Sequence, residues 1–267
     1  MKILIVCVNY NSYEELHNFL LSVDKSASNV KGDLQVDVII ADNSSTKENV
    51  DCSVYASINV KQVELPNLGY LGGAQAIINN TEHIQQYKYV IISNVDLVFE
   101  PGTFINIERY DIGEDIAWVA PDIFSEKYQK RLNPNVVRRY KSWKLRLLKL
   151  TYHRFFYKLY DKYYYSKKKQ TPLASQYSEM DIYAGHGSCI MLTQNFFNNY
   201  NQIHYPIFLY GEELFFAELI MNKGMRVRYV PAIRMTTEGG VSTSKMPSKS
   251  FFKYNIEAIN FILKTFY

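Results

Sequence analysis

A chain of 267 residues, 47% of them hydrophobic, is long enough for one large domain with a full core. It has no run of about 18 apolar residues, which argues against a membrane-spanning helix, and the apolar run 3–8 is too short for a secretory signal. Three cysteines, Cys7, Cys52 and Cys189, are too few for a disulfide framework and point to a reducing, cytoplasmic setting. The net charge of +4 hides an asymmetry: residues 127–169 hold fifteen Lys and Arg against one acid, Asp161, and the remainder is acidic.

The run 3–8 reads as a parallel strand covered on both faces. Asn9, Tyr10 and Asn11 end it, and Ser12 with Glu15 predicts a capping box for a helix carrying Leu16, Phe19, Leu20 and Val23. Residues 36–41 predict a second strand, ending at Asp42, and 59–65 a third. Gly72 opens a predicted helix, and 89–93 forms a strand that runs out at Asn94 and Asp96. This alternation predicts an α/β fold with a mostly parallel sheet, and such sheets bind ligands beyond the carboxyl ends of their strands.

Residues 125–180 break the pattern. At 100° per residue, Leu145, Leu148, Tyr152, Phe155, Phe156, Leu159 and Tyr163 share one helical face, with Trp143, Leu147 and Leu150 falling outside it. Beyond it, 181–192 is strand-like, 211–222 helical, 226–230 a short strand and 251–266 a terminal helix.

Several residue groups have the chemistry of a phosphate-bearing pocket. One carboxylate at a strand end, Asp96, suffices for a hard cation, Mg2+ or Mn2+, that takes its other ligands from substrate phosphates; it also suits a plain turn. Asn67, Gly69, Gly72 and Gly73 precede or open a helix, where glycines admit a phosphate or simply a tight turn. Glu212 and Glu213 begin a helix and point about 100° apart, so one can serve as general base while the other braces it; first-turn acids also suit the helix dipole. His186 sits between two glycines at a strand end, either lining a pocket or satisfied by a local backbone bond.

Taken in order, these segments resemble the family 2 glycosyltransferases, especially the rhamnosyltransferase-like members that build bacterial surface polysaccharides. The matching stretches are Val8 to Asn11, Ala41 to Thr46, Asn67 to Ala74, Ser93 to Gly102, Phe208 to Glu213 and Gly239 to Thr243. The resemblance implies a GT-A, Rossmann-like mostly parallel sheet flanked by helices, with a basic helical insertion. It implies a nucleotide-sugar-binding half at 1–124, the insertion at 125–180, and an acceptor-binding and catalytic half with the terminal helix at 181–267. By it, Asn9, Tyr10, Asn11 and Asp42 hold the base, Asn67, Gly69, Gly72, Gly73 and Asn94 the rest of the donor, and Asp96 the metal. Glu213 is the base of an inverting transfer. Glu213 stands where the family commonly has Asp, and Thr237 and Glu238 stand where it often has a metal-binding His, making Glu238 a second candidate ligand.

The implied partners are a UDP- or dTDP-linked sugar and a saccharide or polyprenyl-diphosphate-linked acceptor. A plain solvated helical face also suits such a charge run, but basic residues beside an apolar stripe favour an anionic membrane surface as the partner of 127–169, and not nucleic acid, with Arg138 and Arg139 as alternative contacts for an acceptor diphosphate. The protein is then cytoplasmic, peripheral at the inner face of the plasma membrane. Two other classes fit a nucleotide-binding sheet. One is a nucleotidyltransferase, which wants a Gly-rich basic loop that Asn9 to Ser12 lacks, and the other is an inactive scaffold of the same fold.

Overall fold

A computed structural model describes residues 1–152, 177–238 and 248–267. Strand β1 (Lys2–Asn9) lies centrally, with Ile3 to Cys7 fully buried, as its unbroken apolar sequence requires. Its side chains alternate between two cores: Leu4 and Val6 enter one, while Ile3, Ile5 and Cys7 enter the other. Burying each such Ile, Leu or Val contributes about 1.5–3 kcal/mol. Beside β1 stand β2 (Gln35–Asp42) and β4 (Tyr89–Asn94), and β3 (Asn59–Glu64) flanks β2, all parallel.

Past β4 the sheet continues through β9 (Cys189–Thr193), β6 (Ile116–Ser125), β10 (Arg226–Thr237) and β5 (Leu97–Phe99). Strand β9 is antiparallel to both β4 and β6, and β10 is parallel to β6. Six strands, β1 to β4, β6 and β10, therefore point the same way and end on one edge. The amino end of β9 meets them there. Two short strands, β7 (Lys130–Arg131) and β8 (Met180–Ile182), pair with β6 and β10.

Helices cover both faces. On one side α1 (Tyr13–Ser28) and α3 (Thr103–Arg109) bury Phe19, Val23, Phe104 and Ile107. The other side holds α2 (Tyr70–Ile78), α4 (Ser142–Thr151), α5 (Gln194–Phe197), α6 (Glu212–Asn222) and α7 (Ser248–Phe266). No helix among the described residues is long and apolar enough to cross a membrane. The three cysteines are free, with Cys7 and Cys189 buried.

Four local expectations change. Ser12 occupies the N-cap of α1 without a side-chain capping bond, because its hydroxyl donates to the Tyr10 carbonyl and its N–H donates to Asn9 Oδ1. Helix α2 opens at Tyr70, with Gly69 at its N-cap, and Gly72 lies inside the first turn. The strand-like 181–192 is two strands, β8 and β9, split by a turn through Gly185, where a Cβ would lie 2.8 Å from both Trp118 and Ala120 side-chain atoms. The apolar stripe of the basic segment turns inward: Leu145 is buried and Leu148 packs on the core, while Phe155, Phe156, Leu159 and Tyr163 lie outside the described residues.

Candidate active site

A cavity of about 810 Å³ opens where the carboxyl ends of the parallel strands meet. Val8 lines it from β1 and Tyr10 from just past it, Asn43 from just past β2, Asn94 from β4, Ser125 from β6 and Thr237 from β10. Because β9 runs the other way, the turn before it delivers His186, Gly187 and Ser188 to the same wall. The loop before α2 adds Asn67 and Gly69, the first residue of α2 adds Tyr70, and the start of α6 adds Glu212 and Glu213.

Asp96 sits in the turn between β4 and β5, fixed by buried Val95 and Leu97 on either side. Pairing of β5 with β10 sets Leu97 against Thr237, whose hydroxyl donates to Asp96 Oδ2 at 3.4 Å. Thr237 also pairs with Ser125, and Ser125 with Lys130. The Ser125 hydroxyl is fully buried at this corner and finds no partner among the described residues. Such an atom is rare in a folded chain unless a ligand completes it. Among the described residues no three His, Cys, Asp or Glu side chains converge on a metal by themselves. One carboxylate with hydroxyl oxygens nearby is instead the donor set of a hard cation that borrows phosphate oxygens from its substrate. Glu238 is exposed and outside the cavity wall, and the Gly239 to Thr243 stretch lies outside the described residues.

The carboxylate pair is held by backbone geometry. Tyr210 and Gly211 adopt φ of 71° and 82°, turning the chain sharply into α6. A Cβ on residue 211 would come within 2.7 Å of the Tyr205 hydroxyl, so glycine is required there. The Tyr210 N–H donates to Glu212 Oε1 at 3.1 Å. Glu213 Oε2 faces Gly187 across the cavity. Burial and the neighbouring Glu213 push the Glu212 carboxyl up to about 8, and burial also raises Glu213. The two titrate as a pair, and burial with their mutual repulsion favours holding a proton between them.

Burial, with the Lys130 charge adding to it, pushes the His186 imidazole down to about 4, so it is neutral at pH 7. The Ser188 N–H donates to His186 Nδ1 at 3.2 Å, which places the ring proton on Nε2. The local backbone bond and the position in the wall, weighed as alternatives from sequence, therefore coexist.

Other predicted residues stand behind the wall. Asp42 is fully buried and accepts bonds from Asn9 Nδ2, the Ser44 N–H and hydroxyl, the Tyr13 hydroxyl and Gln62 Nε2. Burial alone would raise its carboxyl, but the bonds from Ser44, Tyr13 and Gln62 outweigh it and hold it below the usual carboxylate range. Asp42 and Asn9 thus brace the turn, and Asn11 ties it to Ser44 and Ser45. Gly72 and Gly73 are buried in α2, where Gly73 leaves room for the Asn43 amide, 2.9 Å from where a Cβ would be. That amide donates to the Gly69 carbonyl at 2.8 Å. Gly69 itself has φ 78°, and a Cβ there would fall 1.9 Å from the Phe208 carbonyl oxygen. Arg139 is turned onto Glu218, while Arg138 is exposed.

Sequence reasoning missed Tyr70, Ser125 and Lys130. The Tyr70 hydroxyl donates to the Gly187 carbonyl at 3.0 Å, tying the two loops across the cavity. Ser125 ends a parallel strand, the position that drew attention to Asn94; the strand itself had gone unread.

Known structures agree with this architecture. The chain superimposes on S. aureus TarS with TM-score 0.54 at 13% identity, covering 90% of this chain and 37% of that one. A mannosyltransferase from Pyrobaculum calidifontis, solved with GDP-Man and Mn2+, gives 0.53 at 10% identity, covering 90% and 58%. GalNAc-T7, solved with UDP, GalNAc and Mn2+, gives 0.53 at 12%, covering 96% and 48%. The chain has the GT-A fold. It spans between about a third and three-fifths of the length of these GT-A structures. No family model matches the sequence, and no curated protein is similar to it in sequence.

Proposed function

We propose that this chain is an inverting glycosyltransferase, similar to the rhamnosyltransferase-like members of family 2. It moves a sugar from a UDP- or dTDP-linked donor to a saccharide or polyprenyl-diphosphate-linked saccharide, in bacterial surface polysaccharide synthesis at the cytoplasmic face of the membrane. One observation carries the reading: Asp96 and the Glu212–Glu213 pair, far apart in sequence, line a single cavity at the carboxyl edge of the sheet. The GT-A neighbours solved with a nucleotide and Mn2+ support it. The division into a donor half at 1–124, an insertion at 125–180 and an acceptor half at 181–267 belongs to the same reading.

Glu213 accepts the proton of the acceptor hydroxyl as that oxygen attacks the anomeric carbon. The bond from that carbon to the diphosphate breaks, the nucleoside diphosphate departs, and the anomeric configuration inverts. Glu212 keeps its proton and holds the turn through Tyr210. Asp96 would hold a Mg2+ or Mn2+ ion, with the Ser125 and Thr237 hydroxyls beside it, and such an ion neutralises the departing diphosphate. Lys130 adds positive charge to that corner, and Asn67, Asn94 and Tyr10 orient the donor.

Incubating the protein with a panel of UDP-, dTDP- and GDP-sugars and Mg2+ or Mn2+ tests the reading. Donor turnover abolished by chelator and a product of inverted configuration by NMR are expected. Pyrophosphate release from a nucleoside triphosphate would instead mark a nucleotidyltransferase, and inertness with every donor a scaffold. His186, a neutral imidazole in the cavity wall, contributes one neutral hydrogen bond. His186→Ala is expected to lower kcat by up to about tenfold with little change in melting temperature. Unchanged kinetics would remove it from the site.

A further inference from the structure

We propose that α4 is a lipid-surface anchor that seats Trp143, Leu147 and Leu150 in the interface of an anionic bilayer. The inference deepens the membrane-presented acceptor read above, and rests on it for the purpose of the contact, by naming the element that meets the lipid.

Helix α4 has two apolar faces. Leu145 is 1% exposed, Leu148 packs on the core, and the Tyr152 ring just past the helix lies 5.7 Å from Phe251 of α7. The opposite face is exposed: Trp143, Leu147 and Leu150 are 61%, 53% and 57% accessible. At spacings of four and three they fall within an arc of about 60°. Among the described residues no large apolar side chain is more exposed than Trp143 or Leu150. Scattered exposed leucines are ordinary, but three on one helical stripe form a patch.

Charge selects the occupant. Lys144 and Arg146 flank the stripe on either side and are exposed, Lys141 precedes the helix, and residues 127–152 contain no acid. A second copy docked through the same face would set basic rims against each other. An anionic leaflet complements the rim, accepts the leucines, and suits a tryptophan at headgroup depth. The contact also reaches the cavity. Phe251, against which Tyr152 packs, lies 5.3 Å from the ring of Tyr210 in the cavity wall. A lipid-seated α4 therefore brings that wall close to the headgroups.

The protein has two tryptophans, and Trp118 is fully buried, so a vesicle-dependent emission change reports Trp143. With phosphatidylglycerol–phosphatidylcholine vesicles, a blue shift and quenching by brominated acyl chains are expected, both fading with salt. Trp143→Ser, Leu147→Ser and Leu150→Ser together should weaken sedimentation with these vesicles at least about tenfold, leaving melting temperature and transfer to a soluble acceptor unchanged. The proposal is overturned by absence of binding at low salt, by equal binding of the triple variant, or by equal binding to pure phosphatidylcholine. It is equally overturned if the triple variant loses self-association in place of vesicle binding. Vesicle binding with no turnover of any donor would leave the anchor standing and remove the glycosyltransferase reading.

Discussion

Glu213→Gln is expected to lower the transfer rate by about 10²–10⁴-fold, the usual contribution of a positioned general base. The amide fills the same space beside Gly187 but cannot take a proton. Glu212→Gln is expected to retain far more activity, because burial and the neighbouring Glu213 favour the protonated form of Glu212, which the amide imitates. Near-wild-type turnover by Glu213→Gln would unseat the assignment, and a reversed ranking would pass the role to Glu212. Since burial raises Glu213, the acid limb of kcat/KM should sit above the ordinary glutamate range of about 4.3. Stability follows the same shift. The folded state's preference for protonated Glu212 is fully present below the unfolded value of about 4.3 and is lost as pH climbs through about 8. Urea titrations across that window should show the decline in the wild type and a flatter profile in Glu212→Gln.

Arg139→Met is expected to cost about 3 kcal/mol of folding stability, the low end for breaking a buried ion pair. Glu218 is fully buried, and Arg139 grips it through two bonds of 2.8 and 2.9 Å, with the Tyr183 hydroxyl donating at 2.6 Å. Removing the guanidinium leaves a buried carboxylate with that phenol as its neighbour. The arginine side chain is itself 37% exposed, so water reaching the vacated space keeps the loss at the lower end. Adding Glu218→Gln should recover part of it, since the uncompensated charge is then gone. Additive losses in this double-mutant cycle, measured by urea unfolding, would show that the pair is not coupled.

What the sequence revealed was local. The run 3–8 and the polar residues at the ends of β1, β2 and β4 announced a parallel sheet with a pocket at one edge. Strand β6 escaped because Pro121 and Asp122 interrupt its apolar run, and only tertiary partners explain them. Asp122 is paired with Arg131 and accepts the Tyr229 hydroxyl at 3.1 Å. With β6 unread, Ser125 and Lys130 could not be placed. Asp42 shows the opposite limit. It stands at a strand end, as a ligand contact should, but five donors from its own chain occupy it, and none of those bonds is visible as a spacing. The outward face of α4 looked like noise against the stripe beside it until α7 claimed the other side.

Between residue 69 and the carbonyl of Phe208 there is room for a hydrogen atom and nothing larger. The segment bearing Asn67 thus rests main chain against main chain on the segment leading to the two glutamates. At that seam the gauge of the pocket is set by peptide planes and not by any interchangeable side group. On the proposed reading, variation in the surrounding residues can retune which sugar is accommodated while the spacing between donor floor and proton acceptor stays constant.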